Sequence, residues 1–103
     1  MINIKILCNK SRLRYSVRRI VEVAAARLLS EYPDLKVSII EISDMDEIQK
    51  YTLVMIAPAL VINEKLVYDL WIPNKEQVVG WMKEAIQEQA NISDDIVHCD
   101  THP

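Results

Sequence analysis

The chain has 103 residues, half of them hydrophobic, and a net charge of −3 from 12 Lys+Arg and 15 Asp+Glu; that suffices for one domain with a modest core and no metal or disulfide staples. Two cysteines, Cys8 and Cys99, are too few for a disulfide scaffold, and the single glycine, Gly80, excludes the glycine-rich loops that cradle phosphates in P-loop and dinucleotide-binding proteins. No apolar run approaches the roughly 18 residues of a membrane span, and the opening MINIKIL has neither part of a secretory signal, so the expected setting is the cytoplasm.

Ile2, Ile4 and Ile6 alternate with Asn3 and Lys5, the period of a strand that Leu7 extends. From Leu13 the period becomes helical. Leu13, Val17, Ile20, Val21, Ala24, Leu28 and Leu29 share one stripe, and the helix should stop near Tyr32 because Pro33 disfavours helical geometry in the residue before it. Leu35 to Ile42 is a β-branched run suited to a largely buried strand. SDMDEIQKY then reads as a short helix capped by Ser43 or Asp44, with Asp46 or Glu47 three residues on.

Two strand segments follow, about Leu53 to Ile56 and Ala59 to Ile62, on either side of Pro58 or merged across it. A tight Asn63-Glu64 turn leads into another strand, Lys65 to Leu70. Asn tolerates positive φ and Glu does so poorly, which weakens the hairpin signal. Asn74 with Gln77 three on opens the last helix, whose stripe is Val78, Val79, Met82, Ala85 and Ile86. It should run to about Ala90. Residues 91–103, NISDDIVHCDTHP, are polar, acidic and aperiodic and read as a loosely docked C-terminal tail.

Charge is uneven along the chain. Residues 1–30 hold Lys5, Lys10, Arg12, Arg14, Arg18, Arg19 and Arg27 against Glu22 alone, net +6, and the remainder is net −9. Two readings follow: arginines coating the solvated face of one helix, or a positive patch for an anionic partner. Apart from Tyr15 no aromatic is interleaved with these cations, and the total charge is negative, which argues against nucleic acid.

The element order β-α-β-α-β-β-α implies an α/β domain with a four-stranded mixed sheet and helices on both faces. That order, with IAPALVIN before the hairpin and IPNKEQVVGWM opening the last helix, resembles the thioredoxin fold, in particular the small redox-active disulfide type. The likeness spans about residues 2–89, within a thioredoxin-like domain at 1–90. Its most specific element is the segment around Pro58, which matches the family's cis-proline; sequence alone favours trans, since cis forms are only about 5–6% of X-Pro bonds.

The resemblance also locates a departure. Members carry Cys-x-x-Cys where the first strand meets the first helix, because the helix N-terminus lowers the pKa of the leading thiol. Here those positions fall on Ser11 and Arg14, and residues 9–98 contain no cysteine. Cys8 is the nearest thiol, read either as an inert small hydrophobe at a strand end or as a thiol tuned by Lys10.

The expected function is therefore a redox-inactive binding module. Lys10, Ser11, Arg12 and Arg14 would face Ala57 and Pro58 across a groove that takes an acidic or extended peptide, a partner's C-terminus or a small anion. One alternative is thiol-disulfide or monothiol exchange through Cys8. A further one is similarity to the circadian-clock KaiB-type proteins, which share the length and lack the cysteine pair. No cofactor and no metal site are expected, although His98, Cys99, Asp100 and His102 fall within five residues. Trp71 and Trp81 read as packing residues; if Tyr68, Leu70, Trp71 and Ile72 are exposed instead, they form a homodimer patch.

Overall fold

Strand β1 (Ile2–Leu7) sits inside a sheet of order β2-β1-β3-β4 in the computed structural model, which describes residues 1–52 and 57–101, with the backbone alone from Ala90 onward. Around it are helix α1 (Ser11–Glu31), β2 (Val37–Ile42), helix α2 (Met45–Gln49), β3 (Ala59–Ile62), β4 (Lys65–Tyr68) and helix α3 (Lys75–Thr101). β1 pairs parallel with β2, from Ile2↔Val37 to Leu7↔Ile42, and antiparallel with β3, from Ile4↔Ile62 to Leu7↔Ala59. β4 completes the sheet antiparallel to β3. The expected order and mixed sheet are thus present; the strand segment expected at 53–56 lies outside the described residues.

Alternation decides which side chains meet which helix. Ile2, Ile4 and Ile6 of β1 and Leu60 and Ile62 of β3 point to one face, where Val17, Val21, Ala24 and Leu28 of α1 and Val78 and Met82 of α3 cover them. Leu7, Ala59 and Val61 point to the other face and meet Ile48 of α2. Fully burying side chains of this size is worth about 1.5–3 kcal/mol each, so the α1/α3 side holds most of the hydrophobic stabilisation.

The starts of α2 and α3 behave as their residue types dictate. Asp44 accepts a hydrogen bond from the Asp46 amide at 3.0 Å and starts α2. Asn74 and Gln77 form a reciprocal capping box at 2.8 and 3.0 Å before α3. Asn63 and Glu64 both have positive φ, 51° and 66°, as a two-residue hairpin turn requires. The Asn63 amide also donates to the Asn3 carbonyl at 2.8 Å, and the Asn3 amide to Asn63 Oδ1 at 2.9 Å.

Three boundaries differ from expectation. β2 begins at Val37, since the Leu35 amide closes a turn on the Tyr32 carbonyl at 3.0 Å. β4 ends at Tyr68, and the next residue, Asp69, accepts a hydrogen bond from the Thr52 hydroxyl at 2.9 Å. α3 does not stop near Ala90 but continues to Thr101, through the stretch expected to be a tail. Between Trp81 and His102 the chain has neither glycine nor proline, so nothing local breaks the helix until the approach to Pro103.

Candidate functional site

The β1–α1 junction gathers the ends of three strands. The Cys8 amide donates to the Ile42 carbonyl at 3.0 Å. Carrying the Leu7↔Ala59 register one residue further sets Cys8 opposite Pro58. Cys8 is a free thiol and 3% exposed, so it packs as a small hydrophobe. Ala57 and Pro58 are also buried, and what they offer a ligand is backbone. No peptide bond among the described residues is cis; the cis isomer that the resemblance implies at Ala57-Pro58 is not seen, in line with the trans preference of about 0.5–1 kcal/mol.

Helix α1 starts without a side-chain cap. Lys10 holds the N-cap position in extended geometry and makes no capping hydrogen bond, and the first turn has no acidic residue. Four orphan N–H groups and the positive end of the helix dipole therefore stand beside Lys10 and Arg12. Both side chains are exposed and make no ion pair among the described residues.

Arg14 is different. Its guanidinium donates from Nη1 to the Cys8 carbonyl at 2.9 Å and from Nε to Glu41 Oε1 at 3.3 Å. Glu41, on β2, also takes Arg18 at 3.0 Å. The residue at the second expected cysteine position is thus a clasp between α1, β1 and β2. Of the residues expected to line the groove, Lys10, Ser11 and Arg12 face solvent, whereas Arg14 is committed to the fold.

Beside the junction lies a narrow apolar cleft walled by Val17, Pro58, Leu60, Tyr68, Trp71 and Pro73. Trp71 is 53% exposed and Leu70 72% exposed. Trp81 does pack, stacking on Tyr68 with ring centroids 5.1 Å apart; Trp71 does not share that role.

A second cluster was not foreseen. On the α2 face, Lys5 Nζ donates to the Tyr51 hydroxyl at 2.7 Å and pairs with Glu64 at 2.6 Å, while Tyr51 donates to Glu64 at 2.7 Å. Hydrogen bonds to Glu64 and then Tyr51 push the Lys5 pKa up to about 12. The same bonds, Lys5 first, pull Glu64 below the usual carboxylate range. An ammonium held this firmly is neither nucleophile nor base near neutrality.

Among the described residues no group of three or more His, Cys, Asp or Glu is placed to hold a metal ion. The side chains of His98, Cys99, Asp100 and His102 lie outside the described residues. No described helix is long and apolar enough to cross a membrane. A family model described as a thioredoxin domain matches residues 3–83. No curated protein and no solved structure matches the chain.

Proposed function

We propose that this chain, which belongs to the thioredoxin domain family, is a redox-inactive cytoplasmic member that binds an extended acidic peptide at the β1–α1 junction. The observation that carries the reading is Arg14: at the second cysteine position stands a cation bonded to the Cys8 carbonyl and Glu41. A dithiol cycle has no partner sulfur there, and the nearest thiol, Cys8, is buried. Lys10 and Arg12 supply charge at an uncapped helix end. Beside them the exposed ring of Trp71 supplies an apolar surface for a flanking side chain.

Two measurements test this. The natural protein and Cys8→Ser should both leave unchanged the rate at which a thiol donor reduces a disulfide-bonded model peptide; an acceleration that vanishes in Cys8→Ser would make the chain a thiol enzyme. An acidic peptide carrying one aromatic residue should perturb Trp71 fluorescence. The double variant Lys10→Ala, Arg12→Ala should weaken that binding by about 3–10-fold at low salt, and less at high salt. Equal affinity of both forms at low salt would remove the anion site.

A further inference from the structure

The face of α1 turned away from the sheet mixes charged with apolar side chains, where a solvated helix normally presents a charged surface. Opposite the buried Val17, Val21, Ala24 and Leu28 lie Tyr15, Arg19, Glu22 and Ala26, flanked by Val23 and Leu29, all of them exposed. Tyr15 is 59%, Val23 52% and Leu29 40% exposed. Tyr15, Arg19, Glu22, Val23 and Ala26 border a shallow hollow. The spacing Tyr15, Arg19, Glu22, Ala26 is four, three, four, the step of a helix-pairing seam.

We propose that a second copy of the chain docks on this face, α1 against α1 and antiparallel, about a two-fold axis between Arg19 and Glu22. The seam matches its own reverse. In an antiparallel pair centred there, Arg19 meets Glu22 of the second copy, and Glu22 meets its Arg19. Tyr15 meets Ala26 at either end, a large side chain over a small one. An isologous contact needs this self-complementarity, and the central charge pair fixes its register. The Arg19 guanidinium lies 5.8 Å from the Tyr15 ring centroid of its own helix and donates to the Tyr15 hydroxyl at 3.3 Å, which ties two seam residues together. Glu22 pairs with Arg18 of its own helix at 3.5 Å.

Sedimentation of the whole protein over a range of concentrations, with Arg19→Glu, Glu22→Arg and their equimolar mixture, tests the contact. The natural chain should self-associate, more weakly as salt is raised. Each single variant puts like charges at both crossings and should weaken self-association about ten-fold or more. In the mixture each crossing is again Arg against Glu, and the dimer should return. Unchanged circular dichroism checks that both variants remain folded. A monomeric natural chain at high micromolar concentration would overturn the proposal. So would single variants that still dimerise, which would place the contact elsewhere, for instance at Leu70 and Trp71, or a mixture that stays monomeric. Arg19 and Glu22 lie outside the proposed peptide site, so this test and that of the proposed function fail separately.

Discussion

Glu64 occupies a backbone position that a glutamate rarely adopts, with φ at 66°. What holds it there is visible in its side chain, which closes the triangle with Lys5 and Tyr51. Because the Glu64 pKa is lowered on folding from its ordinary value of 4.5, its contribution is present above that value and is lost as pH falls through the folded pKa. The Lys5 pKa is raised from 10.5 to about 12, so its contribution is full below 10.5 and is lost as pH rises through about 12. Glu64→Gln removes the charge without changing the turn residue's size. The difference in urea midpoint between the natural chain and Glu64→Gln should be level between those two ranges and shrink below pH 4.5. A difference that stays constant into acid would mean that the pair contributes nothing to folding.

Helix α1 shows where an element gives up stability at its end. Its N-cap is Lys10, and Arg12 and Arg14 follow in the first turn, although Asp, Asn, Ser or Thr there would satisfy an orphan amide and oppose no dipole. Lys10→Asp should therefore stabilise the protein by about 1 kcal/mol, read as a raised urea midpoint, and the same change should weaken capture of an acidic peptide at low salt about as much as the double alanine variant does. A gain in stability with binding intact would detach the cap from the function. Most of the elements are legible in sequence because they are set by local period: Ile2, Ile4 and Ile6 for β1, Val17 to Leu28 for α1, Asn74 and Gln77 for the start of α3. The far end of α3 is not, because the stretch after Ala90 is polar and aperiodic, whereas helix ends are set by Gly, Pro and caps. Nor is the role of Arg14, whose partner Glu41 lies 27 residues away. A local reading sees a cation at a cysteine position; only the β1–β2 pairing brings Glu41 beneath it.

At the scale of the whole molecule, the sheet separates a large core under α1 and α3 from a small one under α2, and Cys8 lies where the two meet the strand ends. Its amide is tied to Ile42, its carbonyl to Arg14, and its neighbour Leu7 to Ala59. Exposing the thiol thus requires the central strand β1 to part from both neighbours, which is close to unfolding the sheet. With Cys99→Ser as background, so that only one thiol is counted, labelling of Cys8 by an aromatic disulfide reagent should be slow in the native state. Its rate should rise with urea along the slope of global unfolding, because the opening that admits the reagent exposes about the same surface. Labelling that is fast and indifferent to urea would instead show a local opening at the strand ends. That outcome would return the buried thiol to the exchange chemistry from which burial now excludes it.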